Sequence, residues 1–313
     1  MVRLAHVFAL ALLISLLVAT GAGAQEGVPL ALKFAPGDVM QYQVSLSGSG
    51  ALTAPDGERS PVGLRGTLAC VLTVSEVRPD GSARLQCLIP TADINLTLGQ
   101  RAFRFSYAGN TLRWSVDGRE YAPPPTGAAG VPFAQVPLLF TLAANGRISE
   151  VSIPNGGLIQ ALQESIPGFD LARVQILGEP LLPDSPVAIG ETWRHSSQLL
   201  PLGPTLPISV NISSTLESFT ETEGIGLATI TSHAESTYSG APASLSPGSA
   251  RVRLALQQLR GTLTATQFLN TTTGRLIRGN YDQAISARVL VTVENTRQTG
   301  SLEARLHFDL QAR

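Results

Sequence analysis

Hydrophobic and polar residues alternate along much of the chain, most clearly near its C-terminus. Leu302, Ala304, Leu306, Phe308 and Leu310 alternate there with Glu303, Arg305, His307, Asp309 and Gln311. Successive side chains of a β-strand point to opposite faces of the sheet, so a period of two places each set on its own face. The pattern predicts an antiparallel strand with one buried and one solvated face.

Further segments with this pattern are separated by turn residues such as Asp80-Gly81 and Asn145-Gly146. Such pairs favour tight turns between antiparallel strands. We predict strands at residues 40–46, 68–77, 83–89, 102–107, 111–116, 138–142, 148–153, 208–216, 226–233, 252–256, 263–268 and 289–293. The predicted fold class is therefore mainly β, with antiparallel strands.

One segment departs from the alternation. Leu158, Leu162 and Ile166 recur with a spacing of four residues, which places them on one side of a helix. We expect a short amphipathic helix at residues 157–166, followed by an extended connection at residues 180–186.

Three short features occur in the same order in two parts of the chain. A Gly followed by an acidic residue comes first, a hairpin turn second and a Gly-Arg turn third. The pairs are Gly37-Asp38 with Gly190-Glu191, Asp80-Gly81 with Glu223-Gly224, and Asn145-Gly146-Arg147 with Thr273-Gly274-Arg275. We therefore predict two duplicated curved sheets or half-barrels, at residues 25–154 and 187–313, with a short helical connection at residues 155–186.

The N-terminal segment has the features of a signal peptide at residues 1–24. Arg3 and His6 form a short positive region, residues 7–18 are apolar, and Ala22-Gly23-Ala24 is a small-residue cleavage site. This apolar run is shorter than the roughly 20 residues that a membrane-spanning helix needs. We expect an exported protein, periplasmic or extracellular, with no transmembrane segment in the mature chain. An uncleaved signal anchor is the alternative.

The chain carries little charge. Charged residues make up 14% of it, against about 25% in typical soluble domains, and the net charge is −1. Proteins that bind nucleic acid use clustered Lys and Arg to neutralise phosphates. The composition therefore argues against nucleic acid as a partner.

The chain has two cysteines, Cys70 and Cys87, and export favours a disulfide between them. If Asp80-Gly81 is a two-residue turn, however, Cys70 faces Thr91. Cys87 then faces Val74, which separates the cysteines by about 13 Å along the ladder, beyond the ~7 Å limit for a disulfide. A bulge or another register would bring them together. The sequence leaves open both a disulfide and two buried free thiols.

The string Pro183-Asp184-Ser185-Pro186-Val187-Ala188-Ile189-Gly190-Glu191-Thr192-Trp193 fits a P-x-x-P-V-x-x-G-[DE]-x-W pattern. It resembles a motif of exported bacterial proteins of unknown function that carry two related β halves, and the segment from Leu32 to Tyr42 resembles the start of the same family. Such proteins are similar in turn to the periplasmic lipoprotein-carrier type of fold. The resemblance implies a curved antiparallel sheet around an apolar cavity.

No motif for catalysis, a cofactor or a metal stands out. His195, His233 and His307 occupy predicted strands without a second His at ligand spacing, so solvated strand positions explain them. The chain has neither a G-x-S-x-G elbow nor an S-x-x-K sequence. Asp38 and Glu191 each follow a Gly at the start of a strand, where a turn role accounts for them. We predict a non-enzymatic protein without catalytic residues, cofactor or metal.

One aromatic cluster is a weak candidate for ligand binding. Phe103, Phe105 and Tyr107 alternate on one predicted strand, and Trp114 lies on the next. Residues that alternate in this way share a face, where they either line a ligand cavity or pack in the core.

Two functional classes follow from these observations. The first is an exported non-enzymatic β protein that binds a lipid or other apolar ligand in the cell envelope. The second is a structural or protein-interaction module of the envelope, without a small-molecule ligand, whose predicted loops at residues 122–132 and 239–250 meet other proteins. The expected partner is accordingly a lipid or an envelope protein.

Overall fold

The computed structural model describes residues 27–109, 111–121, 137–152, 181–199, 208–244, 252–293 and 296–313. These residues form one antiparallel sheet of fourteen strands, and they contain no helix. The strands are β1 (Val39–Thr53), β2 (Arg59–Val77), β3 (Ala83–Leu98), β4 (Arg101–Ala108), β5 (Thr111–Val116), β6 (Arg119–Tyr121), β7 (Leu138–Leu142), β8 (Ile148–Ser152), β9 (Thr192–Leu199), β10 (Ile208–Thr222), β11 (Ile225–Ser244), β12 (Val252–Asn270), β13 (Arg275–Val293) and β14 (Thr296–Ala312). The prediction of a mainly β, antiparallel fold is confirmed.

Most neighbouring strands in the sheet are also neighbours in the sequence. The order is β6-β5-β4-β3-β2-β1-β14-β13-β12-β11-β10-β9, and β7 pairs with β3 and with β8. β1 and β14, the first and last of these strands, pair with each other. Their ladder extends from the pair Tyr42–Ala312 to the pair Thr53–Ser301. The residues predicted as two separate β halves therefore lie in one continuous sheet.

The helical connection predicted at residues 155–186 is not observed in the part of it that the structure describes. Residues 181–186 contain a bend and no regular element, and Val187 forms an isolated bridge with Val28. The predicted helix at residues 157–166 and the predicted signal peptide at residues 1–24 lie outside the described residues.

The sheet has one apolar and one polar face. Across β14, β1, β2, β3 and β4, one row on the apolar face consists of Phe308, Leu46, Gly66, Ile94 and Phe105 in direct register. The adjacent row on the polar face consists of His307, Ser47, Arg65, Asn95 and Arg104. The alternation in the sequence thus sorts the side chains of many strands onto two continuous surfaces, because paired residues share a face.

Two glycines on the apolar face lie where the backbone of a neighbouring strand approaches closely. A Cβ atom on Gly66 would lie 2.7 Å from the carbonyl oxygen of Asp93, and one on Gly50 would collide with the carbonyl oxygen of Glu303. Only a residue without a side chain fits at such close approach. β1 continues past its predicted end at residue 46. Glycine has a low strand propensity, but Gly50 is needed in this part of the strand because of the close approach.

The main hydrophobic core lies at one end of the strands, which we call the closed end. Two lead-in segments, residues 27–34 before β1 and residues 181–189 before β9, contribute to it. Val28 and Val187 hold these segments together, because each backbone NH donates to the other carbonyl, at 2.7 and 3.1 Å. The same cluster contains Leu72, Leu85, Phe140, Leu142, Leu216, Ile230 and Leu269, each exposed by 2% or less.

Each lead-in segment turns into its strand through a glycine with left-handed backbone. Gly37 has φ of +84° and donates its NH to the carbonyl of Val74 at 2.9 Å. Gly190 has φ of +83° and donates to the carbonyl of Leu216 at 2.7 Å. Other residue types rarely adopt this conformation. Gly37 and Gly190 therefore turn the backbone into β1 and β9.

Substitution of Gly66 tests the bend of the sheet. We expect Gly66→Ala to destabilise the fold by about 1–3 kcal/mol, because the new methyl group would meet the backbone of β3. The matched control is Gly63→Ala on the same strand, where a Cβ would lie 3.6 Å from Thr97, an ordinary contact. Urea unfolding measures both. Equal destabilisation by the two substitutions would contradict the close approach at Gly66.

Candidate functional site

The predicted aromatic cluster assembles on the apolar face of β3, β4 and β5. Phe105 lies directly between Ile94 and Trp114, so these side chains share that face. The rings of Phe103 and Trp114 pack with their centroids 6.2 Å apart and their planes tilted by 46°. This separation is within the range of favourable aromatic contacts. The structure therefore brings together the four residues that the sequence singled out.

Tyr107, the fourth member of the cluster, is buried with its hydroxyl group. The side chain is 4% exposed, and its hydroxyl has no hydrogen-bond partner among the described residues. An unpaired polar group in such a place lowers stability, because the hydroxyl has lost its water without gaining another partner. Tyr107 thus places an unsatisfied polar group beneath the apolar face.

The apolar face is less covered at the end of the strands opposite the closed end, which we call the open end. There Leu52, Leu96 and Leu98 are exposed by 38%, 39% and 41%, although all three lie on the apolar face. A small cluster around Tyr238, Leu256 and Ala287 covers part of the face on the strands of the second half. The uncovered apolar surface therefore lies on β1 to β5, beside the aromatic cluster.

Two cavities near β3, β4 and β5 are formed mainly by the polar face. One of about 420 Å³ includes Asn95, Arg104 and Arg113, and one of about 540 Å³ includes Asp93 and Arg113. These polar and charged side chains point away from the surface that carries the aromatic cluster. The uncovered apolar face, rather than either cavity, is therefore the candidate site.

The cysteines lie closer together than the sequence register predicted. The hairpin has three turn residues, since Arg78 donates its NH to the carbonyl of Ser82, and the β2–β3 ladder contains two register shifts. Cys87 consequently lies opposite Leu72, two positions from Cys70 on the same face. Their Sγ atoms are 3.0 Å apart, and both residues are buried. The predicted pairing of Cys70 with Thr91 and Cys87 with Val74 is wrong because the turn and the bulges shift the strands.

The three histidines do not form a metal site. Among the described ranges, no group of three or more His, Cys, Asp or Glu side chains could hold a metal ion. His307, on the polar face, lies between two carboxylates: its Nδ1 is 2.8 Å from Asp282 and its Nε2 is 3.0 Å from Asp309. The hydrogen bond to Asp282 contributes most to raising the pKa of His307 above its usual value. His195 and His233 lie elsewhere in the sheet.

Asp38 and Glu191 serve turns, as predicted from their positions after glycine. Asp38 accepts a hydrogen bond from the NH of Ala35 at 3.1 Å, and Glu191 accepts one from the NH of Ala188 at 2.8 Å. The first bond is the main reason that the pKa of Asp38 is lowered, and an ion pair with Arg275 contributes further. Both carboxylates are thus explained by local structure.

The exposed leucines of the open end were not predicted from the sequence. Ala92, Ile94, Leu96 and Leu98 alternate with polar residues, and this signal could have extended the strand predicted at residues 83–89. The register shift near Ile89 hides it, because the bulge changes which positions face the apolar side.

Comparison with known proteins gives no family assignment. No family model and no curated protein matches the chain. Two similar solved structures are an outer membrane channel from Pseudomonas putida F1, with a TM-score of 0.21, and OccK11 (OpdR) from Pseudomonas aeruginosa, with a TM-score of 0.19. Each is 8% identical; the alignments cover 93% and 90% of this chain and 98% of each of the two other chains. Likenesses this weak carry no argument about fold or function.

The described part of the chain contains no helix with the length and hydrophobicity needed to cross a membrane.

The position of His307 predicts a pH-dependent contribution to stability. The pKa of His307 is raised in the folded protein, so its ion pairs contribute fully to the free energy of unfolding below the unfolded pKa of about 6.5. This contribution is lost as the pH rises through the pKa of the folded state. NMR titration should show His307 titrating above this reference. Asp282→Asn should lower the pKa of His307, and an unchanged pKa in this variant would contradict the hydrogen bond to Asp282.

Removal of the Tyr107 hydroxyl should stabilise the protein in the absence of ligand. We expect Tyr107→Phe to raise the free energy of unfolding by about 1 kcal/mol, because an unpaired buried polar group disappears. Tyr121→Phe is the control, since Tyr121 is 47% exposed and its hydroxyl does not need a protein partner. Urea unfolding compares them. A loss of stability in Tyr107→Phe alone would mean that the hydroxyl has a partner.

Proposed function

We propose that this protein is an exported, non-enzymatic β protein that binds a lipid or other apolar ligand on the apolar face of its sheet. The observation that carries the proposal is the uncovered surface at the open end, where Leu52, Leu96 and Leu98 adjoin the aromatic cluster. Contact between this surface and water is unfavourable by about 25 cal/mol for each Å² of apolar area. A bound apolar ligand would remove that contact.

The shape of the surface favours a long ligand over a compact one. Leu306, Leu64, Leu96, Phe103 and Val116 form one row on the apolar face of β14 and β2 to β5, with Gly48 of β1 between the first two. Strands lie about 4.8 Å apart, so the row is roughly 24 Å long. An acyl chain could lie along such a row and contact a side chain on nearly every strand.

The closed end restricts where the ligand would lie. The core there is filled by the lead-in segments and by side chains such as Leu72 and Phe140, which are almost completely buried. The ligand would therefore occupy the open-end part of β1 to β5. Tyr107 lies beside this region with its hydroxyl buried, so the ligand would contact the exposed leucines and the aromatic rings.

A binding role fits these residues better than catalysis does. The side chains of the row carry no ionisable group or nucleophile, and their common property is hydrophobicity. The signal-peptide features of residues 1–24 support export to the periplasm or the exterior, and the family resemblance supports an envelope role.

We also propose that the two halves of the sheet arose by duplication. The support is local: the glycine turns at Gly37 and Gly190 make matching hydrogen bonds. In addition, Gly146 and Gly274, which correspond in the proposed alignment, both have positive φ, at 83° and 65°. Duplication would supply a second apolar face that continues the first across the β1–β14 ladder.

Fluorescence quenching tests the site directly. A phospholipid or fatty acid with brominated acyl chains should quench Trp114, which lies on the proposed surface, in a Trp193→Phe variant. Trp193 donates its Nε1 hydrogen to the carbonyl of Leu181 at 2.7 Å and packs against the closed-end core. It should therefore remain unquenched in the matched Trp114→Phe variant. Equal quenching of both, or of neither, would contradict the proposed site.

Adjacent substitutions on β3 provide a second test. Leu96→Glu should reduce the affinity for the same brominated lipid at least about tenfold, because it places a charge against an apolar ligand. Thr97→Glu, on the polar face of the same strand, should leave the affinity unchanged. Both positions are exposed, so both variants should fold. The original chain could instead self-associate with increasing concentration and bind no lipid. If Leu96→Glu abolished this self-association and Thr97→Glu did not, the result would favour a protein interface.

A further inference from the structure

The two cysteines form a buried pair that the proposed ligand site does not use. Cys70 and Cys87 are each 6% exposed, and their Sγ atoms lie 3.0 Å apart. They are diagonal neighbours on the apolar face of β2 and β3, beside Tyr42 and Leu72. The two β-carbons therefore project to the same side of the sheet, which is the arrangement that a cross-strand bond requires.

We propose that Cys70 and Cys87 form an intramolecular disulfide in the exported protein. The Sγ atoms need to approach by only about 1 Å to reach bonding distance. The oxidant is a disulfide of another molecule, small or protein. One thiolate attacks that disulfide and releases a thiol, and the second cysteine then displaces the other thiol, so that two protons and two electrons leave the pair.

The contact between the two thiols promotes formation of a thiolate at Cys87. The hydrogen bond with the Cys70 thiol lowers the pKa of Cys87, and burial opposes this effect. A larger fraction of thiolate speeds exchange. Because both groups are buried in the folded chain, we expect the bond to form while the β2–β3 hairpin is still opening and closing, before the lead-in segments cover the core.

The disulfide would stabilise the β2–β3 ladder in the region where its register shifts. Register shifts occur between Ala69 and Val71 and between Val74 and Glu76, on both sides of Leu72. A disulfide between residues 17 positions apart restricts the unfolded chain, so the unfolding equilibrium constant should fall by roughly two orders of magnitude. The bond would hold the hairpin in its shifted register, in which the residues after the bulge present Ile94 and Leu96 to the apolar face.

Thiol counting on the full chain tests the proposal. The reduced protein is refolded with a mixture of oxidised and reduced glutathione, then unfolded and treated with an alkylating reagent. We expect no alkylated cysteine without a reductant, two after reduction, and a mass lower by two hydrogen atoms before reduction. Peptide mapping should identify a link between the segments containing Cys70 and Cys87. Two free thiols, glutathione adducts or a reducible dimer would each overturn the proposal.

A single-cysteine variant separates the bond from simple packing. The variant Cys70→Ala retains one thiol, so it should show one alkylated cysteine or one glutathione adduct, which also verifies the assay. Reductant should shift the urea midpoint of the original chain to lower concentration and leave that of Cys70→Ala unchanged. If the original chain shows no shift although peptide mapping finds the link, the bond does not fasten the fold. This readout does not depend on lipid binding.

Discussion

The ladder between β1 and β14 is the contact on which the rest of the sheet depends. It pairs residues from the two ends of the chain, from Tyr42–Ala312 to Thr53–Ser301. On either side of it most paired strands are also consecutive in the chain, so either half could form its own hairpins without the other. Only this long-range pairing makes the apolar rows continuous, and it requires closing the longest loop in the chain.

The lead-in segments strengthen the same junction by crossing between the halves. The NH of Lys33, before β1, donates to the carbonyl of Gly274 in the second half, and the NH of Leu182, before β9, donates to the carbonyl of Asn145 in the first. Asp38 also pairs with Arg275 at 3.0 Å, a partly exposed ion pair of small energetic weight. The exchange of segments explains why the core is concentrated at the closed end.

Much of this arrangement could be predicted from the sequence, because alternation and glycine turns are local signals. The positions of most strands, the turns at Gly37 and Gly190 and the shared face of Phe103 and Phe105 follow from residues within one strand or turn. The register of Cys70 and Cys87 does not, since two bulges and one extra turn residue change it. Pairing between β1 and β14 also could not be predicted, because no local pattern specifies which distant strand pairs with the edge strand of a sheet.

The same strands serve stability at one end and present an apolar surface at the other. Alternation sorts the side chains of a strand onto two faces, and in β3 the bulge near Ile89 moves the apolar face from odd-numbered to even-numbered positions. What changes along β3 is the cover: Leu85 is completely buried by the lead-in core, whereas Leu96 on the same face is 39% exposed. The unequal cover allows the open end to contact an apolar ligand without disturbing the core. The cysteine pair belongs to the closed-end core, so a bond there would stabilise the hairpin without occupying the binding surface.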